Sequence, residues 1–283
     1  MRPGEPSQTM VQTATLRAAH QVLDRPLIFV DPIAVGLVPE ASEEAILAAA
    51  AEYRSPSMTM RRASMVWRSR FAEDRLAEAA SRGVRQYVIA AAGLDTFPWR
   101  QPPFARDMRI FAADLPTTLD WARGRFCARG LSQPSNLMFV PVNLEERQLG
   151  LQLRKFGFEP SEPMFCSALG IVQFLTSAAV DALLMFVASA PKRSEIAFSF
   201  SPPDDELEGT ALTELRRSVA RGENFGEPWL TRPRPKELLR QLERLGFTDI
   251  VHLTPELARE RYPGKPHDGL RLLSSGQVIA AVV

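Results

Sequence analysis

The residues best placed to do chemistry are an acid, Asp114, and a run of small residues, Ala91-Ala92-Gly93, about twenty positions before it. Each closes a short apolar segment: Tyr87 to Ala92 in the first case, with Asp95 just beyond, and Met108 to Ala113 in the second. A short apolar run stopped by a turn signal is how a buried parallel strand reads. Small residues at the carboxyl end of such a strand let a ligand approach the backbone closely. An acid at the tip of the next strand is placed to accept both hydroxyls of a ribose. The chemistry expected is therefore nucleoside binding. The turn is not a full G-x-G-x-x-G, so a tight turn with a solvated acid also fits these residues.

The elements that must position this pair follow from the rest of the chain. Ser7 or Thr9 caps a helix to about Leu23, stopped by Arg25-Pro26. A short helix follows Pro32. Ser42 caps another from Glu43 to about Tyr53, and a long one runs from about Met58 to Arg82, closed by Gly83. Residues 1–83 are thus expected to form a helical cap or lid within the same domain, and 84–283 the ligand-binding core. Beyond the first two strands, apolar runs at Asn136–Asn143, Pro163–Gly170, Ser194–Phe200, Thr248–Leu253 and Gln277–Val283 read as strands. Helical patterns from Pro116, Glu145, Thr176, Pro202 and Pro235 alternate with them. This order predicts an α/β protein with a doubly wound parallel sheet. No clear helix separates the last two strands, which predicts an antiparallel final strand.

Composition sets the outer bounds. The chain has 283 residues, 45% of them hydrophobic, and a net charge of +1. That balance gives no reason to expect nucleic acid or an anionic membrane as a partner. No signal peptide and no membrane-length apolar run are evident, so a cytoplasmic protein, monomeric or homodimeric, is expected. Cys127 and Cys166 lie in apolar contexts and read as reduced and structural. His20, His252 and His267 are too scattered to suggest a zinc site.

Several stretches together carry a resemblance. They are Pro6-Ser-Gln-Thr with Leu16-Arg-Ala-Ala-His-Gln21, Asp31-Pro-Ile-Ala34, Arg68-Ser-Arg-Phe-Ala-Glu-Asp74, Ala92-Gly-Leu-Asp-Thr-Phe97, Asp114-Leu-Pro116, Gly226-Glu-Pro-Trp-Leu-Thr231 and Asp268-Gly-Leu-Arg-Leu272. In order and spacing the chain resembles the S-adenosylmethionine-dependent O-methyltransferases that include the leucine carboxyl methyltransferases and bacterial polyketide O-methyltransferases. The resemblance implies a class I methyltransferase sheet, Rossmann-like, with seven strands, mostly parallel and the last antiparallel, under a helical amino-terminal cap. It implies S-adenosyl-L-methionine as the cofactor. Ala91, Ala92 and Gly93 would line its methionine and ribose, Asp114 would hold the ribose hydroxyls, and Leu115 would pack on the adenine. Asn143 and Leu144 would sit at the adenine edge, and Arg68 would pair the methionine carboxylate. A guanidinium suits that role because it matches a planar carboxylate with two parallel donors.

The departures bear on the reaction. Ala91 stands where the family usually has Gly, Gln8 where Lys or Arg is common, and Asn143 where Asp is common. The segment Phe165 to Leu175 departs most: Ala168, Gln173 and Phe174 replace a Trp, a Met and a Tyr. Gln173 and Phe174 are therefore the candidate catalytic residues, the first to orient a reacting group and the second to lie near the sulfonium. No histidine sits at a motif position to serve as a base. The expected reaction is O-methylation of a small-molecule carboxylate or hydroxyl, of natural-product type. Two other readings fit: cyclisation of S-adenosylmethionine to azetidine-2-carboxylate with release of methylthioadenosine, and ligand binding without catalysis.

Overall fold

A computed structural model of the protein describes residues 6–262 and 270–283. His267, and the Asp268-Gly269 part of one family-like stretch, lie outside the described residues. The strands are β1 (Gln86–Ala90), β2 (Arg109–Asp114), β3 (Leu137–Pro141), β4 (Met164–Ala168), β5 (Glu195–Phe200), β6 (Thr248–Leu253) and β7 (Gln277–Val282). They form one sheet in the order β3-β2-β1-β4-β5-β7-β6. β1 to β5 pair in parallel, and β7 runs antiparallel to both β5 and β6. The chain winds outward from β1 through β2 to β3 and resumes on the other side at β4. The β1/β4 boundary is thus the topological switch point, where open α/β sheets bind ligands.

The helices are α1 (Gln8–Leu23), α2 (Glu43–Ala48), α3 (Ala50–Tyr53), α4 (Pro56–Ser81), α5 (Phe97–Arg100), α6 (Pro116–Ala128), α7 (Leu149–Lys155), α8 (Ser177–Ala188), α9 (Gly209–Asn224), α10 (Pro235–Arg244) and α11 (Pro255–Arg261). Three expectations change. The helix expected over 43–53 breaks at Ala49, whose ψ of 18° is not helical. The helices expected from Glu145 and Pro202 begin instead as 3-10 turns, Leu144–Glu146 and Asp204–Glu206, before α7 and α9. A helix does separate the last two strands: α11 opens at Thr254, whose hydroxyl accepts from Leu257 N at 3.2 Å. Adjacent antiparallel strands return at the same end of the sheet, so α11 is an excursion and not a crossover.

Both sheet faces are covered. On one, Val88, Phe111, Cys166, Ile196 and Ile279 pack with Leu183 and Leu184 of α8 and Leu238 and Leu242 of α10. On the other, Tyr87, Ile89, Ile110, Phe165 and Val278 pack with Phe71, Leu76 and Ala79 of α4. The amino-terminal segment adds a smaller cluster, in which Ala14 and Ala18 of α1 meet Leu37, Ile46, Leu94 and Phe126. A buried ion pair joins α1 to α4: Arg62 Nε donates to Asp24 Oδ2 at 2.7 Å, and Nη2 to Oδ1 at 3.0 Å. Removing one partner of such a pair costs roughly 3–5 kcal/mol, because the other charge stays buried. Cys166 is buried as expected, whereas Cys127 is exposed on α6. No helix among the described residues is long and apolar enough to cross a membrane.

Candidate active site

The carboxyl ends of β1 to β5 open into a cavity of about 560 Å³. Small-molecule sites typically measure about 300–1,000 Å³. The residues just after β1, β2, β3, β4 and β5 line it from the sheet side: Ala91 to Asp95, Leu115, Asn143 with Leu144, Gly170 with Gln173 and Phe174, and Ser201. Across from them it is lined by α1, through Met10, Thr13 and Arg17, and by α4, through Arg61, Met65 and Arg68. Residues of α9, of the 226–230 loop and of 273–278 also line it. All ten residues singled out from the sequence, Arg68, Ala91, Ala92, Gly93, Asp114, Leu115, Asn143, Leu144, Gln173 and Phe174, line this one cavity.

Asp114 ends β2 and crosses to the β1 turn. Its Oδ2 accepts from Gly93 N at 2.8 Å and its Oδ1 from Leu115 N at 2.7 Å. A carboxylate offers about four lone-pair sites. These two bonds fix its plane and leave acceptor capacity toward the cavity. Burial raises its pKa, against the opposing pull of Gly93, Leu115 and Thr118. The turn itself is left-handed at both Ala91, with φ 59°, and Gly93, with φ 49°. Glycine adopts that region without strain, whereas alanine does so at a cost of about 1–2 kcal/mol. The backbone thus keeps the glycine-type turn although residue 91 carries a methyl. At Gly93 a Cβ would stand 3.0 Å from the Met10 sulfur, so α1 can close down only on a bare backbone there.

Arg68 projects from α4 into the same cavity, against the backbone just after β4. Its guanidinium has no hydrogen bond or ion pair among the described residues. Burial first, then the nearby charge of Arg17, lowers its pKa to about 10, with Asp95 opposing. Its space is made by Gly170, after β4, where a Cβ would lie 2.7 Å from Arg68 Nη1. Arg17 differs, since Nη2 donates to Leu94 O at 2.5 Å and Nε lies 3.7 Å from Asp31 Oδ2. A buried cation without a counter-ion is costly unless an anion joins it.

Other expected residues carry additional duties. Asn143 Oδ1 accepts from Glu145 N at 3.1 Å, which caps the 3-10 turn and leaves one lone pair of that oxygen. Gln173 Nε2 donates to Gly170 O at 3.1 Å, while its backbone carbonyl accepts from Leu230 N at 2.7 Å. Phe174 meets Trp229 edge to face, 6.3 Å between centroids. Gln8 is exposed and does not line the cavity, so its difference from a basic residue leaves the lining unchanged. The positive charge that α1 does supply is Arg17.

One cavity residue carries a role not assigned from the sequence. Glu227 sits on the loop after α9 and grips the start of α1. Its carboxylate accepts from Ser7 Oγ at 3.0 Å, Gln8 N at 2.9 Å, Thr9 N at 3.3 Å and Thr9 Oγ1 at 2.5 Å. The first amides of a helix lack intrahelical partners, and a carboxylate there also meets the positive end of the helix dipole. Its signal was the Gly226-Glu-Pro-Trp stretch, whose partner lies 220 residues away in sequence. Neither described histidine lines the cavity. His20 Nδ1 pairs with Asp24 Oδ2 at 2.9 Å, and His252 Nε2 with Gln277 Oε1 at 2.8 Å.

Comparison with known proteins agrees with this geometry. A sequence model described as leucine carboxyl methyltransferase matches residues 10–188. The inferred S-adenosyl-L-methionine-dependent methyltransferase YktD of Bacillus subtilis is 27% identical over 100% of this chain and 99% of its own length. An inferred S-adenosyl-L-methionine-dependent methyltransferase of Mycobacterium marinum is 30% identical over 69% of this chain and 67% of its own. A Mycobacterium tuberculosis protein described in the same words is 32% identical, over 62% of this chain and 58% of its own length. Among solved structures, an inferred methyltransferase of Thermobifida fusca superposes with TM-score 0.63 at 16% identity, covering 99% of this chain and 96% of the other. A DUF574 family protein of Streptomyces avermitilis gives 0.59 at 17% identity, over 96% and 99%. The seven-stranded sheet with its antiparallel β7 is the class I methyltransferase fold, and the chain belongs to the leucine carboxyl methyltransferase family of S-adenosylmethionine-dependent methyltransferases.

Proposed function

We propose that this cavity binds S-adenosyl-L-methionine between Arg68 and Asp114 and that the enzyme methylates a carboxylate or hydroxyl oxygen of a small molecule. The observation that carries the reading is that one cavity is lined by complementary groups, a cation and a carboxylate. Arg68 is an enclosed cation with no ion pair among the described residues, and Asp114 is a fixed carboxylate with lone pairs to spare. An amino-acid carboxylate and a ribose diol on one ligand satisfy both. The guanidinium takes the carboxylate through parallel N–H donors, and Asp114 accepts from the two hydroxyls. Leu115 and Leu144 offer apolar surface to the base, and the spare lone pair on Asn143 Oδ1 can accept from an exocyclic amine.

When bound, the cofactor supplies a methyl group on a sulfonium, already activated for displacement. The protein must then align an acceptor, exclude water and leave the acceptor oxygen unprotonated. Gln173 is suited to orientation only, since an amide does not titrate in the working range. Phe174, held edge-on by Trp229, offers a ring face of the kind that attracts a cation by about 0.5–2 kcal/mol. The clasp of Glu227 on α1 supports a lid role for the amino-terminal helices. Neither described histidine lines the cavity, and of its carboxylates Asp114, Glu145, Glu214 and Glu227 each accept two or more hydrogen bonds, Asp95 one from Phe97 N. This favours an acceptor ionised on its own, such as a carboxylate, over a hydroxyl that needs a base.

The test is incubation of the protein with S-adenosylmethionine, with and without a panel of organic acids and phenols, followed by mass spectrometry. S-adenosylhomocysteine together with a methyl ester or ether, formed only with an acceptor, is the expected outcome. Methylthioadenosine with a cyclic amino acid, formed without any acceptor, would replace methyl transfer by cyclisation.

A further inference from the structure

Two cations that line the cavity, besides Arg68, have no ion pair among the described residues. They are Arg61 on α4 and Arg221 in the last turn of α9, whereas the fourth lining arginine, Arg17, is held by Leu94 O and Asp31. Neither forms an ion pair with a carboxylate among the described residues. Arg61 Nη2 donates to the neutral amide oxygen of Gln12 at 2.9 Å, and Nη1 lies 3.2 Å from the Met58 sulfur. Arg221 Nη2 is buried with no hydrogen-bond partner. The two are near neighbours. Burial first, and the charge of Arg221 second, lower the pKa of Arg61 to about 10. Burial also lowers that of Arg221.

Glu214 is the carboxylate of this region, and it is already shared. It accepts from Ser57 Oγ at 2.6 Å and from Arg217 Nη1 at 2.5 Å. Its charge also opposes the fall in pKa of Arg61 and Arg221, but the ion pair it forms is with Arg217. Glu227 also lines the cavity, but it is committed to α1. S-adenosylmethionine brings one carboxylate, which the proposed function assigns to Arg68. Arg61 precedes Arg68 by seven residues, two helical turns, or about 10 Å along α4. The cation whose charge acts on Arg68 is Arg17 and not Arg61, which sets Arg61 apart from that end of the cavity.

We infer that Arg61 and Arg221 bind an anionic group of the methyl acceptor, a carboxylate or phosphate remote from the oxygen that receives the methyl. The inference rests on the proposed cofactor placement and adds the acceptor's chemical class: a molecule with an anionic tail. Two guanidiniums present parallel donor pairs, the geometry that selects planar carboxylates and phosphates. An acceptor without the tail would leave both cations uncompensated in the closed cavity, so it should bind poorly.

The experiment uses the full chain saturated with S-adenosylhomocysteine, titrated in a calorimeter with glutarate, adipate, hexanamide and inorganic phosphate. S-adenosylhomocysteine is titrated first into each protein, and failure to bind there refutes the cofactor placement and not the anion site. With the cofactor product bound, a dicarboxylate or phosphate should bind at least tenfold more tightly than the neutral hexanamide. Arg61→Met and Arg221→Met should each weaken that binding at least tenfold and leave S-adenosylhomocysteine within about twofold. Arg221→Lys, which keeps the charge, should recover part of the loss, and circular dichroism confirms that each variant is folded. Binding of phosphate but of no dicarboxylate assigns the tail to a phosphate ester. Absence of binding by every anion, or equal binding by wild type and both Met variants, overturns the inference.

Discussion

The guanidinium of Arg68 occupies the space that a side chain at Gly170 would need: a Cβ there would stand 2.7 Å from Nη1 and 2.9 Å from Nη2. Gly170 also has φ +77°, the left-handed region. One residue after β4 thus serves the fold and the cavity together, because it turns the chain and admits a cation from α4.

Substitution Gly170→Ala should therefore damage binding more than folding. The group that must move is the far end of a flexible side chain, so the main stability cost is the left-handed alanine, about 1–2 kcal/mol. The displaced guanidinium no longer meets the ligand carboxylate. Affinity for S-adenosylhomocysteine should fall at least tenfold in calorimetry, with the circular dichroism spectrum unchanged. Wild-type affinity would mean that the position of Arg68 is irrelevant to the ligand.

Arg68 should cost stability in the free protein. Its pKa is lowered to about 10 by burial, so the folded state disfavours the charge it carries at neutral pH. Between that value and its ordinary one the unfolded chain binds more protons, so the cost is full at pH 7 and declines only as pH rises through 10. Arg68→Met removes the charge and keeps the packing. The unliganded variant should melt higher, by roughly 2–4 °C for each kcal/mol recovered, and should lose the stabilisation that S-adenosylhomocysteine gives the wild type. A lower melting point without ligand would show that Arg68 is a structural residue.

Asp114 sets a pH dependence of binding. Burial raises its pKa in the free protein, while hydrogen bonds from ligand hydroxyls favour the charged form. Binding therefore releases a proton. Affinity should be full at neutral pH and begin to fall, as pH drops, above the ordinary Asp value of about 3.9. Asp114→Asn should bind weakly and without that fall. Identical pH profiles for the two proteins would remove Asp114 from the binding equilibrium.

The Glu227 clasp should be measurable by hydrogen exchange. Glu227→Gln removes the charge that serves Gln8 N and Thr9 N. Loss of a helix cap costs about 1 kcal/mol, so protection over residues 8–16 should drop roughly fivefold. Added S-adenosylhomocysteine should restore part of it if α1 closes over the ligand. Unchanged exchange in the variant would mean that the clasp contributes nothing to holding α1.

Much of this site was legible because it follows local rules. Apolar runs ending at Gly93 and Asp114 specify parallel strands, and the parallel topology brings their tips together. The arginines of α4 were harder to sort from their own surroundings. Arg62 turns to Asp24, Arg70 to Asp74 at 2.9 Å and Arg75 to Glu195 at 2.5 Å, whereas Arg61 and Arg68 face the cavity. Helical spacing gives each its direction, but the partner that decides its role lies elsewhere in the chain. The same holds for Glu227, whose partners begin at Ser7. The missed helix α11 is short and charged, so its apolar signal reduces to Leu257 and Ala258, although Thr254-Pro255-Glu256 is an ordinary start.

The most direct test of the two-ended site separates its ends with two ligands. S-adenosylhomocysteine carries both the ribose and the amino-acid carboxylate, whereas methylthioadenosine carries the ribose alone. Calorimetric titration of both into wild type, Arg68→Met and Asp114→Asn gives six affinities. With Arg68 on the carboxylate and Asp114 on the ribose, Arg68→Met weakens S-adenosylhomocysteine at least tenfold and leaves methylthioadenosine unchanged, while Asp114→Asn weakens both. Equal loss of methylthioadenosine binding in Arg68→Met, or no loss of either ligand in Asp114→Asn, would contradict the placement of the cofactor between these two residues.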